Sequence, residues 1–285
     1  MDMLRPALVA LYLLLGCASH PLQREAAALN SRGARLLSEG QLADAEASLR
    51  LAVEYNPRYA EPYNNLGLVL LARAEPGLAE PFLLRAVRLN PDFAEAWNNL
   101  GVARLRALPR DAPLEAQEPA VEAFREALSI NPGLLDARIN LTRRLLARRD
   151  PEALEQARRA DQLSEGRDEA SLTALLRAEA ALQASLTDEA LGAVARVLER
   201  EPGSPEARLL GARVALARGR PGEALAALDG LTEGPLAQDA RAWRALTLLA
   251  VDDVAGARVA LGALGPDGAG HPVARYVREA LASRP

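Results

Sequence analysis

Six asparagines are the residues of this chain best suited to recognition chemistry. Asn65, Asn99 and Asn140 are separated by 34 and 41 residues, and Asn30, Asn64 and Asn98 form a second series at a spacing of 34. A carboxamide offers a donor and an acceptor together. It therefore matches the paired N–H and C=O of an extended peptide backbone without reading side chains. Arg143, just past Asn140, adds a guanidinium suited to a carboxylate. Covalent chemistry has no comparable set. Cys17 is the single cysteine, and His20 and His271 lie at opposite ends, where they cannot make a His-rich zinc site. There is no phosphate-cradling glycine loop and no nucleophile near a base. These residues describe a binding protein, not an enzyme, with no catalytic residues, metal, cofactor or small-molecule substrate.

The elements that carry these residues are helical. Of 285 residues 49% are hydrophobic and only 4% aromatic. Ala, Leu, Arg and Glu dominate, all good helix formers, and β-branched residues are sparse. The expected fold class is all-α. A net charge of −4 argues against a nucleic-acid groove, which needs a basic excess on one face.

Self-similarity organises the chain. The pairs Asn56-Pro57, Asn90-Pro91 and Asn131-Pro132 are 34 and 41 residues apart. With these prolines set at place thirty-two of each unit, a small residue recurs at place eight: Gly33, Gly67, Gly101, Thr142, Ala178, Ala212 and Ala245. Alanine recurs at place twenty as Ala45, Ala79, Ala120, Ala190, Ala224 and Ala257. Place twenty-seven is Ala52, Ala86, Ala127 and Ala160, then larger in Val197, Leu231 and Leu264. Small residues at places eight and twenty let two helices of a hairpin approach closely, and place twenty-seven accommodates the next hairpin.

Seven helix pairs follow. Residues 26–134 hold three well-patterned units, with seven extra residues at about 108–118, where Pro109, Pro113 and Pro119 predict an extended surface loop. Residues 135–270 hold four divergent units, in which Arg138, Arg208 and Arg241 stand where an apolar residue is usual. Residues 272–285 predict a capping helix and tail, with Val273, Val277 and Leu281 covering the last repeat.

The period, and above all Ala94-Glu-Ala-Trp-Asn-Asn-Leu-Gly101, resembles the tetratricopeptide repeat family. The resemblance implies a solenoid, a right-handed superhelix of helix hairpins whose first helices line the concave side. Asn65, Asn99 and Asn140, at place six, would then form a ladder along a peptide-binding groove, with Asn30, Asn64 and Asn98 beside them at place five and Arg143 at place nine. In that family asparagines at place six commonly hold peptide backbone. Tyr63 and Trp97 read as packing residues, and Glu61, Glu95 and Asp136 as first-turn acids favoured by the helix dipole. Beyond Asn140 the same place carries Leu176, Leu210 and Trp243, so the face turns from polar to apolar.

The amino terminus reads as an address. Arg5 precedes the apolar run Ala7 to Leu15, too short to span a bilayer, which takes about 20 residues, but right for a secretory signal. Leu14-Leu15-Gly16-Cys17 resembles the lipobox of bacterial lipoproteins. That resemblance implies a signal peptide at 1–16, acylation of Cys17, and a tether over 17–25. Ala18 after the cysteine points to the outer membrane, periplasmic face, with the inner membrane as the alternative. The chain is thus expected to be a lipid-anchored periplasmic adaptor for an extended or helical segment of another envelope protein. In architecture it resembles the pilotin-like lipoproteins that assist type IV or tight-adherence pili or their secretins. The alternative is a scaffold for peptidoglycan enzymes or another envelope complex that acts without a dedicated groove.

Overall fold

A computed structural model describes residues 4–265, 268 and 270–283, with side chains from Pro21 onward. Residues 1–3 of the signal, and the side chains of the rest of it and of Cys17, lie outside the described residues.

Among the described residues there are fifteen α-helices and no strand. They follow one another as pairs: α1 (Leu4–Ser38) and α2 (Leu42–Tyr55), α3 (Ala60–Ala72) and α4 (Pro76–Leu89), α5 (Ala94–Ala107) and α6 (Glu118–Ile130), α7 (Leu135–Ala147) and α8 (Glu152–Leu163). The series continues with α9 (Ala170–Gln183) and α10 (Thr187–Arg200), α11 (Pro205–Ala217) and α12 (Pro221–Leu228), α13 (Ala237–Ala250) and α14 (Val254–Gly262), and closes on α15 (Pro272–Ala282). The chain divides into two compact units, Met1–Leu141 and Thr142–Pro285. Most of these helices are near the length at which an isolated helix is marginal in water, about 12–15 residues, so packing must hold them.

The hairpins are set by place eight. A Cβ built on Gly33 would stand 2.5 Å from Leu49 Cγ, on Gly67 2.5 Å from Leu83 Cγ, and on Gly101 2.5 Å from Phe124 Cε1. A Cβ at that distance would force Leu49, Leu83 or Phe124 to shift, so glycine is the residue these three sites take without repacking. Leu49, Leu83 and Phe124 are fully buried, each filling the space the missing side chain leaves. In the fourth repeat place eight is Thr142, and in the last three it is alanine; there the residues at the matching place of the second helix, Val194, Leu228 and Leu261, join Ala178, Ala212 and Ala245 in their clusters. The alanines of place twenty are buried throughout, as are Ala52, Ala86, Ala127 and Ala160 at place twenty-seven.

The turn inside each hairpin has its own repeated device. Place fifteen adopts positive φ in six units, as Gly40 (75°), Ala74 (60°), Arg149 (54°), Ser185 (61°), Gly219 (70°) and Asp252 (64°). The following N–H then reaches five residues back, as from Glu75 to Leu70 O (2.9 Å) and from Asp253 to Leu248 O (2.9 Å). This is the Schellman closure of a helix C-terminus. The third unit departs from it: Leu108 has φ −73°, and the extra residues run over the surface, with one 3-10 turn at Leu114–Gln117 in place of a wholly extended loop.

Between hairpins the Asn-Pro pair ends the second helix. The N–H of Asn56, Asn90 and Asn131 closes on the alanine of place twenty-seven, and each side-chain Oδ1 accepts from the N–H two residues on, at 3.2, 3.2 and 3.0 Å. Proline then forbids continuation.

At the carboxyl end α15 packs on α13 and α14, with Val277 and Leu281 buried against Ala245, Leu249 and Ala257. His271 caps it. Its Nδ1 accepts from Val273 N–H (3.2 Å), and its Nε2 is 2.9 Å from Asp239 Oδ1. At the other end α1 is already helical at Pro21–Glu25, five exposed residues ahead of the first buried one, Ala26.

Two glycine exchanges should move stability in opposite directions. Gly67→Ala forces a Cβ into Leu83 and should cost about 1–3 kcal/mol. Ala74→Gly relieves a left-handed residue and should stabilise by up to about 1 kcal/mol, less the entropy glycine adds to the unfolded chain. Chemical denaturation of both variants checks this, and a loss at Ala74→Gly equal to that at Gly67→Ala would contradict it.

Candidate peptide-binding face

The six asparagines occupy places five and six of first helices, and the structure joins them in two strings, one of Asn30, Asn65, Asn64 and Asn99 and one of Asn98 and Asn140. Asn65 Nδ2 donates to Asn30 Oδ1 (2.9 Å), Asn99 Nδ2 to Asn64 Oδ1 (2.9 Å) and Asn140 Nδ2 to Asn98 Oδ1 (3.0 Å). One rule generates all three: the amide at place six donates to the amide at place five of the preceding repeat. Asn64 Nδ2 also donates to its neighbour Asn65 Oδ1 (3.3 Å), and Asn30 Nδ2 donates to the Tyr59 hydroxyl (3.4 Å). Burial, then the nearby Glu61 carboxylate, raise the pKa of Tyr59 above its ordinary value, against the Asn30 bond that lowers it. The phenol therefore stays protonated.

Burial separates the two series in the second and third repeats, Asn30 being half-buried. Asn64 and Asn98 are buried, at 5% and 8% exposure, whereas Asn65, Asn99 and Asn140 are half-buried. A buried amide without a partner would cost about 1–3 kcal/mol, so place five is served from the next repeat. Place six uses one N–H inward and retains its second. Arg143 is exposed, on the same helix as Asn140 and three residues beyond it, and makes none of the bonds that join the amides.

Three differently typed residues at place four share another task. The Tyr63 hydroxyl donates to Pro57 O (3.2 Å), Trp97 Nε1 to Pro91 O (2.9 Å), and Arg138 Nη2 to Pro132 O. Each acceptor is the carbonyl of the Asn-Pro turn just before the helix. Arg138, which looks like a departure when hydropathy alone is read, carries the donor that Tyr63 and Trp97 carry. Arg208 and Arg241 donate likewise to backbone carbonyls, of Asp229 and Thr232.

The C-terminal unit has leucines and Trp243 at place six and is braced by charge. Arg158 and Arg177 both reach Glu189, at 2.5 and 2.8 Å, while Arg177 and Arg196 reach Asp161 at 3.0 and 2.7 Å. Hydrogen bonds from Arg158, opposed by burial and reinforced by Arg177, hold Glu189 at a pKa of about 2. Among the described residues no cluster of His, Cys, Asp and Glu gathers as a metal site, and no helix is long and apolar enough to cross a membrane.

The sequence matches the tetratricopeptide repeat family over residues 30–92, 65–134 and 181–249. The chain belongs to that family of protein-interaction scaffolds, which are typically non-catalytic and bind peptide segments of partner proteins. No curated protein matches it in sequence. Several solved structures share the fold. PilF of Pseudomonas aeruginosa is 21% identical, with a TM-score of 0.61 over 74% of this chain and 92% of that one. PilW, described as a widely conserved type IV pilus biogenesis factor, is 17% identical, with a TM-score of 0.62 over 77% and 98%. YrrB, described as a tetratricopeptide repeat protein with an unusual peptide-binding site, is 24% identical, with a TM-score of 0.58 over 72% and 97%.

The two braces make separate predictions. A double-mutant cycle of Asn98→Ala with Asn140→Ala should show coupling of about 1 kcal/mol, whereas Asn98→Ala with Asn65→Ala should be additive within about 0.5 kcal/mol. Glu189 has a depressed folded-state pKa, so its stabilisation is present above the unfolded value of about 4.3 and is lost as pH falls towards 2. Glu189→Gln should therefore cost on the order of 1–2 kcal/mol at neutral pH, with solvent screening included, and progressively less as the pH is lowered through that window. Urea titrations across pH measure it, and a gap that stays constant from pH 7 to about 2 would contradict the assignment.

Proposed function

We propose that this chain is a lipid-anchored adaptor of the bacterial envelope, which holds an extended segment of a partner protein along the place-six amides and assists assembly of a pilus or its secretin. The observation that carries the peptide-binding part is the pairing of amides across repeats. Each place-six carboxamide has one N–H fixed inward, so its rotamer is set and its remaining N–H is held for a ligand. Such preorganisation reduces the ordering cost of binding.

Anchoring rests on the lipobox-like Leu14-Leu15-Gly16-Cys17. A diacylated or triacylated cysteine holds a protein to a membrane permanently, which one chain does not. In this reading the outer membrane is the site, since Ala18 follows the cysteine. Helix at Pro21–Glu25 shortens the tether, because a helix advances about 1.5 Å per residue against about 3.3–3.6 Å for extended chain. The first repeat would sit close to the lipid surface. A role in pilus assembly is suggested by the fold shared with PilF and with PilW, described as a type IV pilus biogenesis factor.

Metabolic labelling with a fatty-acid analogue should mark the wild-type chain and place it in the membrane fraction. Cys17→Ser should lose the label while its helicity persists. Crosslinking in intact envelopes should then capture pilus or secretin subunits, and a folded Asn65→Ala/Asn99→Ala chain should capture none. Unlabelled wild-type protein in the soluble fraction would overturn the envelope reading, and capture of cell-wall enzymes alone would replace the assembly role.

A further inference from the structure

The C-terminal unit carries a cleft of different chemistry from the amides. The cleft, of about 350 Å³, opens on the unit's first helices, between Leu182 of α9, Leu216 of α11 and Trp243 of α13, with Arg149 at its edge. Its charges are arranged in one sense. Glu179, the one acid lining the cleft, is bound by both Nη atoms of Arg213, at 2.5 and 2.8 Å, so its charge is cancelled. Arg213 in turn lies over the Trp243 ring, its Cζ 5.2 Å from the centroid, which fixes the indole plane. Arg213 Nε is buried and lacks an acceptor among the described residues.

What remains unpaired is cationic. Arg149 is exposed, held in its place by the positive φ of the turn after α7. Asp150 beside it is turned away, its Oδ1 accepting the Glu152 N–H at 2.9 Å to start α8. Arg143 is exposed one repeat ahead of Glu179, in the row of place nine that continues to Arg213. In a chain of net charge −4, this face therefore presents free guanidinium donors beside an apolar wall.

We infer that this cleft docks an acidic linear segment of a partner, with one bulky apolar side chain against Trp243, Leu182 and Leu216 and a flanking carboxylate on Arg149. A peptide is favoured over an anionic lipid surface because the apolar wall is a cleft of side-chain size and not a flat face. The site is separate from the paired amides, and each can fail alone.

Selection from a random peptide display library on the full chain tests it. The enriched peptides should carry Asp or Glu next to Phe, Leu or Trp. Binding of the selected peptide should quench or shift Trp243 emission in a Trp97→Phe chain, in which Trp243 is the one remaining indole. Arg149→Glu should weaken it about tenfold or more, with affinity falling as salt is raised. Asn65→Ala/Asn99→Ala should leave it unchanged. Enrichment of basic or uncharged peptides, no enrichment, equal binding by Arg149→Glu, or binding of phosphatidylglycerol vesicles in preference to peptide would each overturn the inference. Loss of peptide only in the asparagine variant would overturn it too, and would leave the amide reading standing.

Discussion

The separation of the two helices within a hairpin is decided at one position per repeat. At Gly33, Gly67 and Gly101 there is no room for a Cβ, because Leu49, Leu83 and Phe124 already occupy the space. That contact brings backbones together and lets a large side chain fill the interior at solid-like density. The alanines at places twenty and twenty-seven follow from the same demand, since a hairpin that is closed tightly must also be stacked tightly. Helices of this length have little stability alone, so the local order of every other group depends on that packing.

Stacking brings polar groups of neighbouring first helices within reach, and the two units meet the resulting demand differently. In the N-terminal unit, amides pair across repeats from Asn30 to Asn140. In the C-terminal unit Glu179 and Arg213 pair the first helices α9 and α11, and the second helices α8 and α10 are tied by Asp161 and Glu189 through Arg158, Arg177 and Arg196. Neutral amides leave a polar surface without net charge, suited to backbone. The ion pairs leave arginine planes fixed in position and other arginines unpaired, which suits a charged segment.

Much of this was legible in the sequence, and the limits have physical causes. Place eight could be read from residue type, because hard-sphere exclusion admits few side chains there. The seven helix pairs followed from it together with places twenty and twenty-seven, and the final helix from the spacing of Val273, Val277 and Leu281. Partner choice could not be read: sequence puts Asn64 and Asn99 on a common face but does not say that one satisfies the other. Place fifteen was invisible because Ala74, Arg149, Ser185 and Asp252 have no shared chemistry; the backbone conformation is imposed by hairpin closure and not by residue preference. Arg138 misled because hydropathy was compared, whereas the conserved quantity across Tyr63, Trp97 and Arg138 is a hydrogen-bond donor to the turn.

Each place-six amide is half committed, with one N–H held inward by the preceding repeat and no partner for the other among the described residues. Side-chain amide hydrogen exchange by NMR addresses it directly, since the two Nδ2 protons of one asparagine are resolved. For Asn65, Asn99 and Asn140 the account predicts one protected and one freely exchanging proton in the free protein. Equal, rapid exchange of both protons at all three residues would contradict it.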